Sequence, residues 1–209
     1  MLTYGYAKSR PGGLLVPRAG LTPDRIVAEA GAVADDVGLD RLTLAAVAQR
    51  CGVSLPGLYK HVSGMDDVRR GIAIAAVRDL TSVTAAAAAG LSGRAAMHAV
   101  SAAYRAYAHQ HPGRYAASVM APADGDQEHV KAAIEAYNVL TAAFQGYHLD
   151  GEELIHAVRM WRSGCHGVVS LEAAGGFGLP QSVDVTFGHM IDALDAAFHE
   201  LGSGAQPRP

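Results

Sequence analysis

The chain has 209 residues, long enough to bury a substantial core in one or two domains, and half of them are hydrophobic while aromatics are few. Its two cysteines, Cys51 and Cys165, lie far apart, which argues against a disulfide framework or a cysteine-based metal site. The net charge of −3 argues at first against nucleic acid, but residues 1–70 hold nine Lys and Arg against seven Asp and Glu, while residues 71–209 hold eight against thirteen. A mildly basic end on an acidic body is the pattern of a chain that reads DNA with one end.

Clear strand alternation is absent, so the expected class is all-α. No apolar run reaches about 18 residues without a break, and no charged-apolar-small leader opens the chain, so a cytoplasmic protein with no membrane partner is expected. Residues 1–20 contain Arg10-Pro11-Gly12-Gly13 and Pro17-Arg18-Ala19-Gly20, which are poor helix formers. They read as a flexible arm that lies along DNA, or as a plain tail.

From residue 21 the helix signals are strong. Thr22 is an N-cap, Pro23 the first helical residue, and Asp24 faces the positive end of the dipole. Ile26, Ala30, Val33 and Val37 form a stripe that Gly38 ends. Thr43 caps a second helix, in which Leu44, Val47, Ala48 and Cys51 share one face. Gly52 allows a left-handed C-cap, Ser54 caps a third helix, and Pro56 sits early in it. Leu58 and Val62 then point to the core. Leu55, Gly57, Tyr59, Lys60 and His61 form the exposed face. This is the layout of a helix-turn-helix, in which the second helix of the pair enters the major groove.

A fourth helix opens at Asp66-Asp67-Val68 and connects to the body. Five more are expected: about 93–110, 114–120, 126–147, 151–173 and 184–201. The 126–147 segment places Val130, Ile134, Tyr137, Thr141 and Phe144 on one face. The final helix carries Phe187, Ile191, Leu194, Phe198 and Leu201 at helical spacing. Residues 202–209 read as a disordered tail.

The run Leu42 to Val62 resembles the DNA-binding motif of TetR-family transcriptional regulators in its Leu-Thr-Leu start, its Gly-Val-Ser centre and its Leu-Tyr-Lys-His-Val end. The likeness covers residues 21–70. Two positions depart from the family's habit: Met65 stands where a phosphate-touching Lys is common, and Ala45 where a polar or basic residue is. Residues 159–178, with Trp161, His166 and Gly167, resemble the WHG-type C-terminal domain of a subset of that family, as does the segment 104–115.

The resemblance implies a three-helix DNA-binding domain over 21–68 and a larger helical ligand-binding and dimerisation domain over 69–201, about nine helices in all. The expected DNA-contacting residues are Thr43, Arg50, Ser54, Leu55, Pro56, Gly57, Tyr59, Lys60 and His61. The expected dimer interface, from an apolar stripe beside small residues on the last two helices, is Gly164, Gly167, Val168, Phe187, Ile191, Leu194 and Phe198. Expected walls of an effector cavity, each also readable as plain core, are His98, Tyr104, Tyr107, Tyr115, Met120, Tyr137, Phe144, Trp161 and His166. As a set they suit an apolar or aromatic ligand.

No catalytic residue, cofactor or metal is expected. There is no nucleophile elbow, P-loop or His-Glu-x-x-His, and His109-x-His111 straddles a helix end with no acid nearby in sequence. Cys165 and His166 point about 100° apart on a helix and do not pair. The expectation is a homodimer on a pseudo-palindromic operator, a repressor released by a small molecule. The alternatives are a small-molecule-binding protein or enzyme that uses the C-terminal pocket, or a non-specific DNA-binding protein.

Overall fold

The computed structural model describes residues 20–204, and among these the chain forms nine α-helices and no strand. Apart from Gly20, the arm expected over residues 1–20 lies outside the described residues. Helix α1 (Pro23–Val37) is capped by Thr22, whose hydroxyl accepts from the Arg25 N–H at 3.2 Å. Helix α2 (Leu44–Cys51) is capped by Thr43 and closed by Gly52 at φ 71°, whose N–H returns to the last carbonyls of the helix. Helix α3 is short, Leu55–Leu58, with Ser54 accepting from the Gly57 N–H. Tyr59, Lys60 and His61 therefore lie on the turn that follows α3, which His61 and Val62 close by donating to the Leu58 carbonyl. Gly57 inside a single turn of helix gives it little propensity to run further.

Helix α4 (Met65–Ala88) leads to α5 (Gly93–Gln110), α6 (Pro112–Ser118), α7 (Gln127–Ala143), α8 (Gly151–Ala173) and α9 (Val183–Gly204). Helix α4 is long and apolar enough by composition to cross a membrane, but it packs on α1, α5, α6 and α7, and that packing accounts for its apolarity. Helix α6 begins two residues earlier than expected because Pro112 takes the first helical position, where its missing N–H costs nothing.

Two main cores hold the chain. One joins α1, α2 and α3 through Ile26, Ala30, Val47 and Leu58, and it includes Val68, Ile72 and Ala73 of α4 and Ala117 of α6. The expected boundary at residues 68 and 69 is thus no seam, because the first turns of α4 belong to the head. The other core stacks aromatic rings of the body: Phe144, Trp161, Tyr147 and Phe198 meet edge to face at 5.6–6.1 Å between centroids. Fully burying such a ring stabilises by about 1.5–3 kcal/mol.

Three expectations are corrected here. Val130 and Ile134 face solvent, because α7 turns His129, Ala132 and Ala136 inward instead. The 126–147 helix ends at Ala143, and a 3-10 turn over Gln145–Tyr147 follows, closed by His148 at φ 57°. The tail begins later than residue 202, since α9 runs through Gly204 and Gly202 lies so close to the Tyr147 carbonyl that no Cβ fits. Residues 205–209 lie outside the described residues.

Candidate DNA-reading surface and effector cavity

The sharp αL turn at Gly52 sets α3 across α2, with Leu58 fully buried beneath and Ala48 small enough at the contact to let the two approach. What remains outside is an apolar and polar ridge: Leu55, Pro56, Tyr59, Lys60 and His61 are exposed, and Gly57 is half-buried. Tyr59 is 53 % exposed, far more than an apolar ring in a folded head gains from, and so stands ready for a partner. Thr43 and Ser54 are exposed cap residues; each accepts from a helix N–H and keeps its hydroxyl proton to donate outward. Lys60 has no ion-pair partner among the described residues.

Arg50 is placed differently from expectation. Its guanidinium bonds Glu29 and Asp36 of α1, each at 3.2 Å, so it ties α2 to α1 and its charge is already matched. Met65 is half-buried against the head core, which explains why no basic side chain stands there.

In the body, α4, α5, α7 and α8 with the end of α6 enclose a cavity of about 290 Å³. Tyr104, Met120, Tyr137 and Trp161 line it, as expected, together with Val77, Leu80, Thr81 and Thr84 of α4. His129 and Arg162 complete the wall and were missed. The inward face of α7, residues 129, 132, 136 and 140, has the helical spacing of a core stripe; its Ala and His members were hidden beside the larger Val130 and Ile134.

The other expected wall residues sit elsewhere. Phe144 is fully buried between Trp161, Tyr147 and Phe198 and fills space in the core. His98 is half-exposed and bonds Asp192 of α9 at 2.8 Å. Tyr107 packs on the His111 ring at 5.0 Å, and its buried hydroxyl finds no partner among the described residues. Tyr115 and His166 line a second, more open depression between α5, α6 and α8. A hydrogen-bonded chain joins the two hollows: Tyr104 to Tyr115 at 3.0 Å, then Tyr115 to His166 Nδ1 at 2.7 Å. Burial raises both phenols above the ordinary tyrosine range, so they remain protonated at neutral pH.

Thiol and metal chemistry find no support in these surroundings. Burial pushes the Cys165 thiol up to about 12 and also raises Cys51, so neither is a thiolate near pH 7. His109 turns to Glu172 at 2.9 Å while His111 turns to Asp35 at 3.4 Å, so the pair diverges.

The expected dimer stripe is corrected. Phe187, Ile191, Phe198 and Val168 are buried inside one protomer, against the aromatic core, and Leu194 packs beside them. Gly164 is pressed by Met190, whose sulfur would lie 3.0 Å from an added Cβ. Of that set Gly167 is exposed, and Gly164 and Leu194 are half-buried. The larger apolar residues of α9 fill the protomer's own core, and the smaller ones remain outside.

A head of this geometry on an all-helical body with a lined cavity defines a helix-turn-helix DNA-binding transcriptional regulator. Comparison with known proteins narrows the class. Residues 97–194 match the family described as tetracyclin repressor-like, C-terminal domain. The uncharacterized HTH-type transcriptional regulator Rv0681 of Mycobacterium tuberculosis is 37% identical over 158 residues, spanning 75% of this chain and 72% of that one. YobS, an uncharacterized HTH-type transcriptional regulator of Bacillus subtilis, is 32% identical over 161 residues, spanning 77% and 84%. Among solved structures, a TetR variant of Acinetobacter baumannii in complex with minocycline superposes with a TM-score of 0.65 at 20% identity, covering 87% of this chain and 98% of that one. The chain belongs to the TetR family of transcriptional regulators.

Proposed function

We propose that this protein is a cytoplasmic, homodimeric repressor that binds a pseudo-palindromic operator and lets go when a small molecule fills the cavity between α4 and α8. The observation that carries the ligand response is α6. Its end, at Ser118, lies on the cavity wall, and its start clamps the head. Gly113 sits against the backbone of Ala34 and Asp35 so tightly that no Cβ fits. The Arg114 N–H donates to Asp35 Oδ1 at 2.8 Å, and the Arg114 and His111 side chains face the same carboxylate at 3.4 Å. Helix α4 offers a second route, because Val77 and Leu80 wall the cavity while Val68 and Ile72 lie in the head core.

A ligand that prefers one spacing of the two heads shifts the population toward it. By linkage, ligand and operator then weaken each other equally, typically by about 1–3 kcal/mol. The Acinetobacter baumannii TetR variant, which shares this fold, is in complex with minocycline, and that supports a small molecule as the effector here.

Pairing of protomers is assigned to the outward face of α8 and α9. Met160 and Leu171 of α8 and Val185 of α9 are exposed apolar residues, and Gly167, Ala193 and Ala196 on the same outer surface are small and exposed. Two such helix pairs meeting about a two-fold axis give a four-helix bundle.

The test is a titration of labelled duplex carrying the DNA just upstream of the protein's own gene, with random-sequence competitor. We expect binding about 10³-fold or more tighter than to random duplex at physiological salt. If every neighbouring promoter binds no tighter than random DNA, the proposal falls.

A further inference from the structure

The polar groups around the cavity are unevenly used. Thr81 donates to the Val77 carbonyl at 2.7 Å, Thr84 to the Leu80 carbonyl at 2.8 Å, and Ser118 to the Tyr115 carbonyl at 2.8 Å. Trp161 gives its indole N–H to Ser101, and Tyr104 is engaged with Tyr115. These five side chains have met their needs within the protein.

Three lining groups have not. The Arg162 guanidinium has no carboxylate partner among the described residues, and no Asp or Glu lines the cavity. His129 is only 4 % exposed, and its ring makes no hydrogen bond among the described residues; its backbone N–H is the atom that caps on Asp126. The Tyr137 hydroxyl likewise has no partner among them. Asp126 and Glu128, close to His129 in sequence, are already matched, Asp126 by Arg70 at 2.6 Å and Glu128 by Arg70 and Arg78 at 3.2 Å.

The unspent groups are therefore donors: a permanent cation, an imidazole that donates in either protonation state, and a phenol. Burial raises the Tyr104 phenol, while the Tyr115 bond and the charge and hydrogen bond of Arg162 pull it the other way, so one Arg162 N–H already turns to the Tyr104 oxygen and the rest of its fork is left for a ligand. Around this polar corner the walls are apolar and aromatic. Trp161 and Tyr104 meet edge to face at 5.3 Å, and Leu80, Leu140 and Val158 close the rest. At about 290 Å³ the space is at the small end of small-molecule sites.

The geometry points to an aromatic monocarboxylate as the class of effector, its carboxylate bonded by Arg162 with His129 or Tyr137 and its ring against Trp161. This rests on the reading of the cavity as the effector site. An anion supplies an acceptor to the buried His129 ring and the Tyr137 hydroxyl, and the Arg162 charge, exposed at the rim, favours it over a neutral or cationic ligand.

Trp161 is the chain's only tryptophan, so its emission reports occupancy of this cavity. The full chain is titrated with phenylacetate, phenylpropanoate and cinnamate, each beside its primary amide. At least one carboxylate should bind roughly ten- to hundredfold tighter than its amide, the range of a charge-assisted hydrogen bond. In Arg162→Met, an exposed position that leaves the core intact, that preference should vanish while the amide's affinity stays. Equal affinities in the unaltered protein, no carboxylate binding below millimolar, or a preference that survives Arg162→Met would each overturn the inference.

Operator binding, measured on the same samples, separates the two readings. Specific operator binding released by neutral compounds but not by carboxylates removes this inference and keeps the regulator. Absence of specific operator binding removes the regulator, and the Trp161 titration still decides the ligand class.

Discussion

Lys60 and Arg50 are both basic residues of the helix-turn-helix, yet their surroundings divide their roles. Arg50 lies within 3.2 Å of two carboxylates on α1, and surface pairs of this kind are worth little singly but hold the charge inside the protein. Lys60 is exposed beside Tyr59 and has no such partner among the described residues. Replacing Lys60 with Ala should weaken operator and random duplex alike and lower the slope of log affinity against log salt by about 1 per head, because one neutralised phosphate contributes about 0.9. The dimer should be unchanged. A salt slope equal to that of the unaltered protein would remove Lys60 from the contact. Trp161 makes the matching point in the body. Its indole N–H reaches Ser101 at 2.7 Å, and Ser101 in turn donates to the Met97 carbonyl at 2.6 Å, so a cavity wall is held rigid by α5 behind it.

Helices α4 and α7 pack against each other in the cavity's frame, and one residue staples them at the start of α7. Asp126 caps α7 by accepting from the His129 N–H at 3.1 Å and grips Arg70 of α4 at 2.6 and 2.7 Å. Arg70 is the main reason its carboxyl is held down to about 2, below the ordinary 3.8. A depressed carboxyl stabilises the fold fully above the unfolded value and loses that contribution as pH falls through the folded one. Stability should thus decline between about pH 4 and 2 as this clamp is protonated. Asp126→Asn keeps the cap but not the charge, so it should be less stable than the unaltered protein at neutral pH and show a shallower acid limb in urea unfolding. Parallel acid limbs in the two proteins would mean that the clamp adds nothing.

At the scale of the whole molecule, the proposed pairing of protomers would bring two heads to one operator, and affinity would then depend on the pairing surface. Ala193 lies on the outer face of α9, away from the core that Ile191 and Phe198 fill. Ala193→Arg should leave helix content and thermal melting nearly unchanged, shift the protein to a monomer in sedimentation, and weaken operator binding by ~100-fold or more as the second head loses its effective concentration. An intact dimer in this variant would move the interface off α8 and α9.

How far the chain could be read without its fold differs sharply between head and body. The caps at Thr22, Thr43 and Ser54, the αL turn at Gly52, and the inward Leu58 and Val62 stood in the sequence, because capping and turn chemistry act within a few residues. The aromatic content of the body was equally plain. Which aromatic borders a hollow and which fills the core was not: Trp161 and Tyr104 wall the cavity, while Phe144, one helix away, is sealed inside. The same holds for α9, where Phe187 and Ile191 read as a partner-facing stripe until α5 and α8 took them as core. Periodicity tells that a helix has an apolar face, but not what meets that face. That is decided by residues distant in sequence, and only the packed structure brings Arg162, His129 and Trp161 around one space.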